Sequence, residues 1–251
     1  MTDQLRETLA DAGRVLAMEG HGDYVAGHIS VRLPGESGRF LMKPAGIGIE
    51  EMRPDNIIAV DIDGNKVDGA MPRHNEVYIH SEVLRARSDV ACVIHSHSMH
   101  AVAFSSLGKP LLAVGNSSGY FADGRLPIFA ETTDLIISRE RGRAVARCLG
   151  EHAALILRNH GIVATGGSIA EAVWTAIKLE KACQLQLLAE SAGGPKLLAA
   201  GEDLENKRQR GNRPDLHNNT FGYLVRKWRC QCCGEIVPAP HVTTFENKDQ
   251  R

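Results

Sequence analysis

The chain has 251 residues, 43% of them hydrophobic, which is enough for a packed core in one sizeable αβ domain or two small ones. Its 29 Lys and Arg against 30 Asp and Glu give a formal net charge of −1, so no global basic field points to nucleic acid. No apolar run approaches the ~20 residues that span a bilayer, and the polar start Met1-Thr2-Asp3-Gln4-Leu5-Arg6 has no signal-peptide core, so a cytoplasmic protein with reduced cysteines is expected.

In chain order, Leu5, Leu9, Ala12 and Leu16 share one helical face, which predicts a helix over 3–20 with Thr2 or Asp3 as cap and Gly20 and Gly22 at its end. Residues 28–33 alternate as a strand, with 38–43 as the hairpin partner. Strands at 57–61 and from Lys66 flank Asp63-Gly64-Asn65, a hairpin turn signal. Residues 75–87 read as a helix, 89–94 as a short buried strand and 99–105 as a short helix. A glycine-rich loop region over 108–127 carries expected short strands at 111–114 and 128–130. Helices over 133–149 and 168–192 enclose another apolar strand at 154–157. Hairpins at the centre with helices between them predict an α/β sandwich rather than a doubly wound sheet. There is no internal repeat and no G-x-G-x-x-G fingerprint.

The composition changes after Gly193-Gly194-Pro195, which divides a domain at 1–194 from a C-terminal extension at 195–251. Residues 202–218 are charged and fit a solvated tail. The aromatic content returning by Phe221 and Tyr223 fits, instead, a segment folded over the active site. Cys230, Cys232 and Cys233 with His241 could hold a second, structural zinc; their spacing is not that of a standard finger, and free surface thiols are the alternative. Cys92, Cys148 and Cys183 sit in apolar or helical contexts and are expected as buried thiols.

The chemistry concentrates at Val93-Ile94-His95-Ser96-His97 and Arg158-Asn159-His160-Gly161. His95 and His97 leave the end of their strand in the same direction, because side chains alternate faces. His160 lies just past the 154–157 strand. Three neutral imidazoles can hold one divalent cation and leave a fourth position for water or substrate, the catalytic arrangement. A His-x-His pair alone is weak, and polar residues at strand ends are the competing account.

Glu76, His80, Arg85-Ala86-Arg87-Ser88-Asp89-Val90, His95-Ser96-His97 and Asn159-His160-Gly161 stand in one pattern with Gly27-His28-Ile29-Ser30-Val31-Arg32 and Lys43-Pro44-Ala45-Gly46. Together they resemble the class II aldolase/adducin family over about residues 3–190. The resemblance implies a three-layer α/β/α sandwich with a central, mostly antiparallel sheet. It implies one divalent ion per subunit (Zn, Mn, Co or Fe) on His95, His97 and His160, and a homotetramer with sites between subunits. Imidazole ligands do not distinguish those metals. Glu76 would act as acid or base; its plainer role is a helix N-terminal charge.

The sequence departs from the sugar-phosphate members at the phosphate site. Gly27 and Gly46 keep the loops whose backbone N–H groups meet anions, but hydroxyl ligands give way to His28, Lys43 and His74-Asn75. With Ser30, Arg32 and Arg73 these would form a cationic wall suited to carboxylates; Arg32 and Arg73 as surface charges are the alternative. Gly119 precedes Tyr120-Phe121, where the family's epimerase carries its proton-transferring aspartate, and Glu rather than Asp at 76 argues the same way. Tyr120, His217 and Tyr223 are candidate proton donors from adjacent subunits, with Tyr223 equally a core tyrosine. The resemblance therefore implies a metal-dependent carbon–carbon lyase acting on a small carboxylate. Decarboxylation of a hydroxylated aromatic or heteroaromatic acid, a reaction of aromatic-compound breakdown, is expected first. Aldol cleavage of a hydroxy-ketone, hydroxy-acid or sugar phosphate comes second, and a non-catalytic adducin-like module third.

Overall fold

The computed structural model describes residues 2–36, 38–196 and 198–233. Its strands are β1 (His28–Arg32), β2 (Arg39–Met42), β3 (Ile58–Asp61), β4 (Lys66–Asp68), β5 (Cys92–Ser96), β6 (Ile128–Phe129), β7 (Ala154–Leu157) and β8 (Gly161–Gly166). They form one sheet in the order β4-β3-β2-β1-β5-β8-β7-β6. Every pair is antiparallel except β6 with β7.

The central strands are buried on both faces, so their alternation runs between two cores rather than between core and water. Ile29, Leu41, Ile94, Ile156 and Ile162 face one core. Phe40, Met42, Val60, Val93, Leu155 and Val163 face the other. Helices α1 (Thr2–Leu16), α3 (Met99–Ser105), α5 (Ile169–Ser191) and α7 (Pro214–Cys233) cover the first face. Helices α2 (Val77–Ala86) and α4 (Arg139–Leu149) cover the second. The expected three-layer sandwich with a mostly antiparallel sheet is the fold. A side chain buried at full size contributes about 1.5–3 kcal/mol, so both layers are needed to hold such short strands flat against each other.

Several boundaries differ from the sequence reading. The first helix ends at Leu16, and a wider turn over Ala17–His21 follows, closed by Gly20 at φ 88°. No strand forms at 111–114; the Leu112 N–H donates to Gln186 Oε1 of α5 instead of to a neighbouring strand. The helix expected from 133 begins only at Arg139, where Ser138 Oγ accepts the Arg141 N–H as a cap. The freed residues before it cross above α2, and this crossing supplies a backbone donor to the site.

The extension is not a solvated tail over its described part. It forms α6 (Gly201–Gly211) and α7. Leu204 of α6 packs on Ala113 and Ala122, and Leu224 of α7 joins the core beneath α1 and α5. Cys92 and Cys183 are buried, whereas Cys148 is half-buried. Cys230 is an exposed free thiol, and the second zinc expected from Cys230, Cys232, Cys233 and His241 depends on His241, which lies outside the described residues. Among the described residues no helix is long and apolar enough to cross a membrane.

Candidate metal centre

The centre lies where β5, the β7–β8 hairpin and the start of α2 meet. β1 and β5 pair His28 with His95, which puts both imidazoles on the α2 side of the sheet. β5 pairs with β8 through Ser96 and Ile162. The hairpin loop Arg158-Asn159-His160 is tight, with Asn159 at φ 53°, a left-handed conformation that asparagine tolerates. The Asn159 N–H donates to Ser105 Oγ of α3 at 2.9 Å, which fixes where His160 emerges. Gly161 is required next to it: a Cβ there would stand 2.5 Å from the Ser96 oxygen.

The hydrogen bonds of two rings determine which nitrogens are free. His95 Nδ1 is 2.9 Å from the Ile162 carbonyl, and His97 Nδ1 is 2.8 Å from Asp23 Oδ2. Carbonyl and carboxylate oxygens accept, so both Nδ1 atoms donate, and Nε2 is the nitrogen that each ring can offer as a ligand. Those Nε2 atoms face each other at 3.1 Å. His160 Nε2 is buried without a partner. Glu76 completes the group, with Oε2 3.6 Å from His95 Nε2 and Oε1 3.6 Å from His160 Nε2. All four ligand atoms lie within 4.8 Å of one another.

Facing lone pairs repel unless a cation lies between them. Ligands about 2 Å from one shared ion stand about 3–3.5 Å apart, which is the spacing of the His95 and His97 Nε2 atoms. The donor set therefore fits a divalent cation. Burial, reinforced by the neighbouring imidazoles, holds His95 well below its ordinary pKa and His160 down to about 4, so both are neutral and ready to ligate.

Glu76 is the first residue before α2, and its Oε1 accepts the Ile136 N–H at 2.8 Å from the loop preceding α4. Burial raises its pKa against the opposing effects of that bond and of His97. An open cavity of about 530 Å³ lies beside the centre, lined by Gly20, Gly22, Asp23, His97, Met99, Val102, Asn159 and His160.

Residues 7–187 match the model of the Class II Aldolase and Adducin N-terminal domain. The chain belongs to this family. It is 32% identical over 200 residues to a 3,4-dihydroxyphthalate decarboxylase of Arthrobacter keyseri, covering 75% of this chain and 80% of that one. It is 33% identical over 186 residues to the meiotically up-regulated gene 14 protein of Schizosaccharomyces pombe, covering 73% and 72%. Among solved structures, an L-fuculose 1-phosphate aldolase from Glaciozyma antarctica superposes with a TM-score of 0.81 at 29% identity, covering 94% of this chain and 92% of that one. Class II aldolase membership with decarboxylase and aldolase relatives supports lyase-type chemistry.

Within this class II aldolase domain the expected site residues separate into three groups. Those at the centre are His95, His97, His160, Glu76 and His28; His28 Nε2 is 3.8 Å from Glu76 Oε2. Behind them runs a buried polar chain: His28 Nδ1 is 2.6 Å from His80 Nε2, and His80 Nδ1 is 2.7 Å from Ser30 Oγ. Burial pushes His80 down to about 3, so it is neutral, and one of its two tautomers lets the chain present the His28 Nε2–H towards Glu76.

The second group forms the flank. The Lys43 ammonium is fully buried, donates to the Val25 and Pro44 carbonyls and lies 3.2 Å from His74 Nε2. Burial lowers Lys43 to about 8 and His74 to about 4. The His74 ring packs on His28 with centroids 4.5 Å apart. Gly27, at φ 70°, abuts the β5 backbone, while Gly46 turns an exposed loop at φ 86°. Arg73 is half-buried, donating to the His74 carbonyl and lying over Tyr78.

The third group is not brought to the centre. Arg32 sits at the opposite end of β1 from His28 and donates to the Leu84 and Arg87 carbonyls at the end of α2 and to the Val90 carbonyl before β5. Tyr120 and His217 line a cavity with Val90 and Gly166, at the far end of β5 and β8. Tyr223 is 55% exposed on α7. Sequence reasoning missed Asp23, which orients His97, and Glu180, which accepts the His100 and Ala101 N–H groups and anchors α3 beside the metal histidines. Neither lies in a motif; only the three-dimensional pairing exposes them.

Proposed function

We propose that this chain is a divalent-metal-dependent carbon–carbon lyase, one ion per subunit, that decarboxylates a hydroxylated aromatic or heteroaromatic carboxylate. The observation that carries the reading is the convergence of three imidazole nitrogens and one buried carboxyl group, whose pKa burial raises, on one point. The bound ion supplies Lewis-acid stabilisation of the negative charge left on the substrate, worth several kcal/mol. His95, His97 and His160 hold it, and neutral ligands leave it its full charge.

Glu76 supplies the proton. Its Oε1 is fixed by the Ile136 N–H, so Oε2 is the oxygen free to exchange. As the carbon–carboxylate bond breaks, carbon dioxide leaves and the electron pair stays on the ring carbon. The Oε2 proton passes to that carbon, and water entering through the open cavity restores it. Burial suits Glu76 to this step by raising its proton affinity above that of an ordinary carboxylate. The buried Lys43 ammonium supplies one positive charge behind the neutral His28 and His74 rings, whose N–H groups would face a second carboxylate in place of the hydroxyls that would suit a phosphate. Tyr120 Oη and His217 are buried within their own chain, so of the three candidate proton donors only the exposed Tyr223 could meet a neighbouring subunit's centre, and that role belongs with a homotetramer that has interfacial centres. The decarboxylase relative supports the substrate class.

The likeness to an L-fuculose 1-phosphate aldolase favours a second reading, retro-aldol cleavage with the same ion and Glu76 as base. Carbon dioxide release from 3,4-dihydroxyphthalate and related hydroxy-aromatic acids, set against cleavage of L-fuculose 1-phosphate, separates them. Release that stops on chelation supports decarboxylation; cleavage with no release from any such acid overturns it.

A further inference from the structure

Behind the metal centre, three buried side chains form one hydrogen-bonded row. Ser30 Oγ is 2.7 Å from His80 Nδ1, and His80 Nε2 is 2.6 Å from His28 Nδ1. Burial, reinforced by the neighbouring rings, keeps both imidazoles neutral, and a neutral imidazole carries a single N–H.

The direction of the row follows from the hydroxyl at its end. Among the described residues Ser30 Oγ has one hydrogen-bond partner, His80 Nδ1. A buried donor left unpaired loses its hydration with nothing in return. If His80 Nδ1 held the proton, it would donate to Ser30 and leave the hydroxyl hydrogen with no acceptor. The Ser30 hydroxyl therefore donates to His80 Nδ1, which places the His80 proton on Nε2. That proton is donated to His28 Nδ1, and the proton of His28 itself is left on Nε2.

His28 Nε2 faces the centre. Glu76 Oε2 is 3.8 Å away, beyond hydrogen-bonding distance, so among the described residues this N–H has no acceptor. The His28 ring also lies 4.9 Å from that of His95. Proximity alone would make it a fourth imidazole ligand. Its tautomer decides otherwise, because an N–H nitrogen has no lone pair to give a cation.

We propose that Ser30 and His80 are positioning residues that hold His28 as a hydrogen-bond donor to the substrate and keep it from becoming a fourth imidazole ligand. The inference rests on the lyase reading above and names what the substrate brings to this place: an anionic oxygen, its second carboxylate, within reach of His28 Nε2. A cationic substituent there is selected against, since it would meet the N–H with its own positive charge.

The tautomers are read from long-range 1H–15N correlations of the zinc-loaded protein labelled with 15N-histidine, with His28→Asn assigning the resonances. The expected spectrum shows a proton on Nε2 and a bare Nδ1 at both His28 and His80, and phthalate moves the His28 Nε2–H resonance downfield. His80→Glu sets a carboxylate acceptor beside His28 Nδ1. The same spectrum should then show His28 reversed, with its proton on Nδ1, and phthalate affinity lowered about tenfold by loss of one charge-assisted hydrogen bond. Zinc should stay near stoichiometric in His28→Asn by elemental analysis. A wild-type proton on His28 Nδ1, an Nε2–H resonance indifferent to phthalate, an unreversed His28 in His80→Glu, or zinc lost with His28→Asn would each overturn the assignment, and the first two need no variant to fold. Failure of the lyase reading has a different signature. The tautomers and the phthalate response would stand, supporting the donor, while no hydroxy-aromatic acid or sugar phosphate is cleaved.

Discussion

Asp23 Oδ2 accepts the Nδ1 proton of His97 at 2.8 Å, and this bond turns the Nε2 lone pair of His97 towards that of His95. Carboxylate partners of this kind fix the ring and raise its basicity as a ligand. Asp23→Ala is expected to weaken metal affinity about 10–100-fold, measured by competition with a chelator of known affinity. Asp23→Asn, which keeps an acceptor oxygen, should lose less. Equal affinity in wild type and Asp23→Ala would remove Asp23 from the centre.

Glu76→Gln separates holding the ion from moving the proton. Three histidines remain, so bound metal should stay near stoichiometric by elemental analysis. The amide cannot deliver a carboxyl proton, and turnover should fall about 10²–10⁴-fold, the usual contribution of general acid–base catalysis. Loss of metal together with activity would make Glu76 a required ligand rather than the proton carrier.

The layered fold and the three histidines were legible because they obey local rules. The strand period places His95 and His97 at one strand end, and Asn159-His160-Gly161 follows an apolar run with a residue type that accepts a left-handed turn. Arg32 was misplaced for a physical reason: two residues of sequence from Ser30 became a walk along β1 away from the centre. The strand expected at 111–114 failed because its β-branched and leucine-rich run finds a glutamine side chain of α5 and not a strand edge. Glu180 was invisible because a helix's periodicity marks it as inward-facing and says nothing of the N–H groups that it meets.

Those N–H groups give the domain an acid-sensitive joint. Burial alone would raise the pKa of Glu180, but hydrogen bonds from the His100 and Ala101 N–H groups and from the His100 ring lower it below its ordinary 4.5. A depressed carboxyl pKa contributes stability that is present above the unfolded value and is lost as pH falls through the folded one. Thermal unfolding followed from pH 7 downwards should therefore show a decline below about pH 4.5 that Glu180→Gln flattens, while lowering the transition temperature at pH 7. A parallel pair of curves would mean that the carboxylate charge does not anchor α3.

Arg32 and Lys43 make opposite demands on a variant. Arg32 holds three carbonyls between the end of α2 and the start of β5, so Arg32→Met strands them and should cost about 1–3 kcal/mol of stability for the set, read from denaturant unfolding. Because Arg32 lies at the far end of β1, KM for the carboxylate substrate should stay within about twofold, an energy of less than 0.5 kcal/mol. Lys43 lies behind the His74 and His28 rings, so Lys43→Met should raise KM severalfold. Its burial cost disappears with the charge, and the carbonyls of Val25 and Pro44 lose their donor, so its stability change should be the smaller of the two. If Arg32→Met instead raised KM and left unfolding unchanged, the arginine would have to reach substrate from a neighbouring subunit, and the carboxylate wall would be shared between chains.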